Sequence, residues 1–316
     1  MIETVFSSEL PVGEDLVIQK NRVTGTGTAE PGRDRRICVV TGIHGDELEG
    51  QYVAFELNRR LAEHPELLSG IIDIYPAINP LGINCIERSV PMFDVDLNRT
   101  FPGNPNGDVT ETLAAAVIDD LTGADVAIDI HASNIFLREM PQIRINEMTE
   151  KQLLPLAPLL NVDYVWVHAS STVLESTLAY SLNDRGTNTL VVEMGVGMRI
   201  TRDYGERLVE GVLRLAAHLG MWAGPFRSYR EPIVSRDGAV SFLNANAGGV
   251  FLPEAPHGEP VRAGQLIGIV ADPLTGETLE RITAPVSGLL FTLREYPVVY
   301  PGSLLARILE DVEDDL

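Results

Sequence analysis

The stretch RRICVVTGIHGDELEGQYVAFELNRRLAEH, residues 35–64, changes period part-way along. Ile37, Cys38, Val39 and Val40 form a continuous apolar run, the pattern of a buried strand, and Cys38 reads as strand core. From Glu47 onward the apolar residues recur at helical spacing, so a helix is expected over residues 47–64. The turn between them, TGIHGDELEG at residues 41–50, is rich in glycine and carries one histidine and three carboxylates. Asp46 and Glu47 suit the positive N-terminus of the helix that follows. Helix capping does not account for His44.

Outward from this unit the same alternation recurs. GIIDIYP, ADVAIDIHAS, DYVWVHAS and NTLVVEMG read as strands, and DVTETLAAAVIDDL, STLAYSLND and RDYGERLVEGVLRLAAHL as helices. This is the pattern of an α/β domain around a largely buried sheet. Residues 76–106 are different, being rich in Pro, Asn and Gly without periodicity, and loops of that length in a compact domain tend to carry function. After GMWAGPFRSYREP the texture shifts to short β-like pieces and glycine turns, which sets a boundary near residue 225. The expected organisation is an α/β catalytic domain over residues 1–225 and a β-rich domain over 226–316 that covers the active site. Within the tail, GGVFLPEAPHGEPVRAGQLIGIV and SGLLFTLREYPVVYPGSLLARIL share a Gly-apolar start, a proline-bearing middle and a Gly-x-Leu strand. Two such halves predict a small pseudo-symmetric β-barrel. The halves resemble those of biotinyl and lipoyl carrier domains, but carriage needs a modifiable lysine and none follows Lys151.

Composition narrows the function. With 45% apolar and 22% charged residues the chain should form stable cores, and no apolar run approaches the ~20 residues that span a bilayer. A formal net charge of −21 argues against a nucleic-acid partner and mildly favours substrates that carry an amino group. MIETVFSSEL lacks the basic and apolar regions of a signal peptide, and Cys38 and Cys85 are the only cysteines, so a soluble cytoplasmic protein without a membrane partner is expected. Whether it forms a homo-oligomer is left open.

Three polar clusters fall where strands are expected to end, the edge at which an open α/β sheet binds ligands. His44 and Glu47 lie across a turn into a helix, and an imidazole with a carboxylate suits Zn²⁺. AIDIHAS ends a strand on His131 with Asp129 on the same face, a third ligand and a carboxylate able to orient an imidazole. VVEMGVG places Glu193 after an apolar run, where a carboxylate must be paired, bound to metal or held protonated, conditions that also make a general base. The bland reading of Glu193 is a salt bridge to one of the 22 arginines that accompany the two lysines. In the long loop, DVDLNRTFPG offers the amide of Asn98 and the fork of Arg99, which matches a carboxylate bidentately. Leu97, Phe101 and Pro102 should pack that loop down around Arg99. His64 and His218 read as helix-end residues and His257 as a turn residue, whereas His168, after a strand, is a candidate pocket residue.

The ordered set GIHGDE, DLNRTFPG, DIHAS and VEMGVG resembles the zinc-dependent succinylglutamate desuccinylase/aspartoacylase family, relatives of the zinc carboxypeptidases. The resemblance covers roughly residues 35–220, and the tail is similar to that family's C-terminal domain. It implies a mixed sheet flanked by helices, one Zn²⁺ per chain held by His44, Glu47 and His131, Glu193 as the catalytic carboxylate, and Asn98 with Arg99 on the substrate carboxylate. It also implies an arginine that polarises the scissile carbonyl. Arg88 is the nearest candidate, although it lies ten residues before Asn98, farther than in aspartoacylases. A tyrosine from the C-terminal domain is implied as well, with Tyr296 and Tyr300 both eligible. The FPG ending and the tail look more like deacylases of the N-acetyl-diaminobutyrate deacetylase type than aspartoacylase proper. The expected activity is hydrolysis of an N-acyl amino acid. A carboxypeptidase shares these parts, and a non-catalytic metal-binding protein is the reading from another class, which the presence of Glu193 disfavours.

Overall fold

The computed structural model describes residues 1–28, 34–169, 175–227, 229–236 and 239–310. The amino-terminal half comprises β1 (Ile2–Leu10), β2 (Glu14–Thr24), β3 (Arg36–Thr41), α1 (Glu49–Glu63), β4 (Ile71–Tyr75), α2 (Pro80–Cys85), α3 (Val109–Leu121), β5 (Val126–His131) and β6 (Leu137–Asn146). Then follow α4 (Glu150–Leu153), β7 (Tyr164–His168), α5 (Leu178–Asp184), β8 (Asn188–Gly195), α6 (Arg202–His218) and β9 (Ile233–Arg236). The tail contains β10 (Val240–Asn244), β11 (Gly249–Pro253), β12 (Pro260–Val261), β13 (Leu266–Ala271), β14 (Thr278–Thr283), β15 (Gly288–Arg294), β16 (Val298–Val299) and β17 (Leu304–Glu310).

The main sheet is mixed, with strands ordered β1-β2-β4-β3-β5-β8-β6-β15-β17-β10. At its centre β4, β3, β5 and β8 run parallel, and β6 lies antiparallel to β8. Residue alternation along these strands sends two apolar sets to opposite faces. Ile37, Val39, Ile128, Ile130, Leu190 and Val192 pack under α1 and α6, where Val53, Leu57, Leu61, Val209 and Val212 supply the other half of the core. Cys38, Val40 and Ala127 face α3 and α5, against Leu113, Val117, Ile118 and Leu182. Helix α3 begins on a capping box in which Asp108 accepts from the Thr110 and Glu111 backbone and Glu111 accepts from the Asp108 N–H.

The second, four-stranded sheet has the order β14-β13-β11-β16 and encloses a separate core of Phe251, Ile267, Val270, Leu290, Leu305 and Ile308. Its pairing carries the repeat seen in the sequence. Each half runs long strand, short strand, long strand, and the short strand of each pairs with the first strand of the other: β12 with β15 and β16 with β11. The tail is joined to the main sheet through β6, whose outer edge is shared. Its first residues pair with β15 and its last with β7. Strands from both sides of residue 225 therefore belong to one sheet.

Strand β6 was not among the expected elements. It is interrupted by Pro141 and carries Arg138, Glu139, Gln142 and Arg144, so it lacks the apolar signature of a central strand. The proline coincides with a register shift between Glu139 and Gln142 against β8, a place where the missing N–H does no harm. Strands β1 and β2, an antiparallel hairpin at the sheet's edge, were likewise unassigned.

Candidate active site

The C-terminal ends of β3, β5 and β8 meet on the α3/α5 face of the sheet. In the turn after β3, Gly42 adopts φ +69°, and a side chain on Gly45 would collide with the Gly82 backbone 1.9 Å away. Both glycines allow the turn to double back before α1, so that His44 and Glu47 point inward together. His44 Nδ1 lies 2.8 Å from Glu47 Oε1 and His131 Nδ1 lies 2.9 Å from Glu47 Oε2. One carboxylate thus receives the same ring atom from two histidines, one on each oxygen. All three residues are buried, and their candidate donor atoms lie within 4.8 Å of one another.

The outward nitrogens have carboxylates of their own. His44 Nε2 is 3.1 Å from Asp96 Oδ1, and His131 Nε2 is 3.0 Å from Asp129 Oδ2, the latter a charge contact more than an aligned hydrogen bond. A carboxylate behind each ring fixes its orientation, the usual surroundings of a metal-bound imidazole. The two-residue period placed Asp129 correctly. Asp96 was missed, although it lies in the DVDLNR motif, because an aspartate in a polar loop carries no oddity of its own. Burial pushes the Glu47 carboxyl up, but His131 and His44 overcome this and hold it below the usual carboxylate range. Burial disfavours charge on His131, yet Asp129 and Glu47 raise it well above an ordinary imidazole.

Glu193 is the ladder neighbour of His131, directly opposite it in the parallel β5/β8 pair. It is 9% exposed, and burial pushes its carboxyl up against the opposing charges of Arg144 and His131. Arg144 Nη1 lies 3.3 Å from Oε1, so the salt bridge of the bland reading exists on that oxygen, while Oε2 is buried without a hydrogen-bond partner among the described residues. Arg88 reaches the cluster from the long loop, with Nη1 3.0 Å from Glu47 Oε1 and Nε 3.3 Å from Asp96 Oδ2. Asn98 is buried and its Oδ1 accepts from the Leu178 N–H at the start of α5, which leaves its amide group to donate. Leu97 and Phe101 do pack down, but Arg99 itself is exposed, held through a bond from Nη1 to the Asn98 carbonyl.

The two tyrosines diverge. Tyr296 meets Phe136 edge to face at 5.7 Å, in the segment leading out of β5, and its N–H donates to the Phe136 carbonyl. Tyr300 is 72% exposed in a turn beyond β16. His168 lines a cavity of about 580 Å³ whose wall includes Arg144 and Val191 on the Glu193 face, with Tyr180, Asn146 and Thr189. His64 follows the last residue of α1 and His218 ends α6, whereas His257 is partly buried and its Nε2 bonds the Phe291 carbonyl.

The sequence profile of the succinylglutamate desuccinylase/aspartoacylase catalytic domain matches residues 33–219. The chain belongs to the succinylglutamate desuccinylase/aspartoacylase family. Membership makes it a hydrolase that acts on linear amides. A curated relative, the N-alpha-acetyl-L-2,4-diaminobutyric acid deacetylase of Halomonas elongata, is 27% identical over 313 residues, covering 96% of this chain and 91% of that one. The fold is shared with a succinylglutamate desuccinylase/aspartoacylase of Rhodobacter sphaeroides, at TM-score 0.80 and 23% identity over 99% of this chain and 96% of that one. It is also shared with the product-bound ectoine utilization protein of Ruegeria pomeroyi, at TM-score 0.80 and 22% identity over 96% and 92%. Among the described residues no helix is long and apolar enough to cross a membrane.

Proposed function

We propose that the protein is a zinc-dependent deacylase of N-acyl amino acids, with His44, Glu47 and His131 as the ligands of one zinc ion and Glu193 as the general base. The observation that carries this reading is the convergence of two Nδ1 atoms on the two oxygens of Glu47, with the unpartnered Oε2 of Glu193 one ladder position away from His131. The donor set fits zinc, since two imidazoles and a carboxylate leave a fourth position open. Asp96 and Asp129 supply the outer carboxylates that such histidines need. Held by these residues, a zinc ion would supply a water with its pKa lowered toward ~7 and a Lewis acid for the scissile carbonyl.

The chain's own residues do the rest. Glu193 Oε2 takes a proton from the attacking water and returns it to the departing amine nitrogen. Arg88, at the rim of the cluster, donates to the acyl oxygen as negative charge develops on it. The Asn98 amide and the Arg99 fork hold the substrate carboxylate, which sets the distance from that carboxylate to the scissile bond. Of the two tyrosines we assign Tyr296, which packs on Phe136 in the segment after β5, to the substrate, and the segment beyond residue 225 to limiting access. A single N-acetylated amino acid is the favoured substrate, including ones with a cationic side chain, because the relative from Halomonas elongata is a deacetylase of an N-alpha-acetylated diamino acid and this chain carries a net charge of −21. Amine release from N-acetyl, N-succinyl and N-formyl amino acids by zinc-loaded protein tests the reading. Cleavage of tripeptides at a comparable kcat/KM would replace it with a carboxypeptidase.

A further inference from the structure

A buried charge cluster lies behind Glu193 and spans the junction with the tail. Glu139 is fully buried and collects four donors: Gln142 Nε2 at 2.9 Å, Thr292 Oγ1 at 2.5 Å, Arg307 Nη1 at 2.8 Å and Arg144 Nη2 at 3.4 Å. Residues three apart in a regular strand point to opposite faces, so Glu139 and Gln142 meet only because of the register shift at Pro141. Glu139 stands directly opposite Thr292 of β15 on one side, and Gln142 directly opposite Glu193 of β8 on the other. Arg144 is shared, with Nη1 on Glu193 and Nη2 on Glu139. Two carboxylates and two guanidinium groups thereby balance in charge. A chain that needed only a neutral interior would be served as well by apolar side chains at these positions, since burying ion pairs is costly. What this arrangement adds is direction: it engages one oxygen of Glu193 and leaves the other bare.

The geometry points to Glu139 and Arg144 as positioning residues for the Glu193 carboxylate, held in turn by Thr292 of β15 and Arg307 of β17. The tail thus takes part in aiming the general base, in addition to limiting access. This rests on the assignment of Glu193 as that base.

The test uses the full-length zinc enzyme and an N-acetyl amino acid. Arg144→Ala should lower kcat about 10- to 100-fold, the scale of a misaimed catalytic group, with KM within about threefold and zinc content unchanged. Arg144→Lys should recover part of the loss, and added guanidinium ion should restore part of it in Arg144→Ala. Thr292→Val, a near-isosteric change 153 residues from Glu139 in sequence, should lower kcat several-fold without moving KM. In a Glu193→Gln background, Arg144→Ala should add less than about a twofold loss, because both changes then act through the same group. Wild-type turnover in Glu193→Gln would overturn both the base assignment and this inference. If Glu193→Gln is inactive while Arg144→Lys and Thr292→Val keep wild-type kcat, the inference alone falls. It also falls if Arg144→Ala raises KM at constant kcat, which would make Arg144 a substrate-binding residue. Should Arg144→Ala fail to fold, Thr292→Val and Arg144→Lys decide the matter, with melting temperatures reported beside kcat.

Discussion

His131 presents its two ring nitrogens to different neighbours, Nδ1 to Glu47 and Nε2 to Asp129, and the ring cannot turn without losing both. In the proposed zinc site its replacement by alanine would leave two ligands, too few to hold a catalytic zinc tightly, so the expected zinc content of about one per chain should fall to near none in dialysed His131→Ala, as metal analysis would show. Glu193→Gln is a different kind of change, since the amide is nearly isosteric but cannot take a proton. It should keep its metal and lose on the order of 10² to 10⁴ in kcat, measured by amine release. The two cysteines offer a check on the fold itself. Burial pushes the Cys38 thiol up to about 12, whereas Cys85 is exposed. One thiol should react with a disulfide reagent in native protein, and two in denaturant. At this scale the sequence was informative where a residue was out of place for its surroundings: a histidine in a turn or at a strand end, a glutamate after Leu190, Val191 and Val192. Asp96 and Arg144 were not out of place, and only their neighbours in space reveal what they do.

At the scale of elements, the long loop and α5 depend on each other. Asn98 sits in a short helical turn capped by Asp96, and its Oδ1 takes the first N–H of a seven-residue helix 80 positions away in sequence. That carbonyl is structural and the amide beside it is the group proposed to meet the substrate, so the two roles can be separated. Asn98→Asp keeps an acceptor and adds negative charge at a helix N-terminus, which should hold the melting temperature within a degree or two. The lost donors should lower kcat/KM about tenfold or more for carboxylate-bearing substrates, since a polar contact to a charged group is worth roughly 1.5–3 kcal/mol. Asn98→Ala should lose both stability and activity. A thermal melt and a substrate titration distinguish the variants. Helices α1, α3 and α6 were readable because their apolar residues keep a 3.6 period. Strand β6 was not, because Pro141 interrupts it and two of its buried residues, Glu139 and Gln142, are polar and find partners that the sequence does not place nearby.

For the whole molecule, the boundary near residue 225 carries a consequence different from the one that domain texture suggests. Strands β15, β17 and β10 extend the main sheet beyond β6, and β9 extends it beyond β7. Removing residues 226–316 would strip the outer edge of β6, take two of the four donors from the buried Glu139 and expose apolar side chains such as Tyr164 and Trp166, which pack on Phe291. Breaking a buried ion pair by removing one partner, here Arg307, costs about 3–5 kcal/mol, a large part of a domain's stability. The truncated chain should therefore fail to show a cooperative melt by circular dichroism, rather than behave as an enzyme with its lid removed. The intact chain should unfold in a single calorimetric transition.

The sequence by itself determined the α/β alternation and the pseudo-symmetric tail, and its ordered motifs carried the family resemblance that implied the type of chemistry. Each is written in local pattern: strand and helix periods, a repeat of glycine and proline, and short motifs with ionisable residues at strand ends. Tertiary structure alone decided which atoms meet. It brought Asp96 behind His44, split Arg144 between Glu193 and Glu139, and tied the tail to the sheet through Thr292 and Arg307. Those contacts join residues 52, 49 and more than 150 positions apart, through strand registers and a bulge. Register is set by how whole faces pack against one another, which no local window of residues contains.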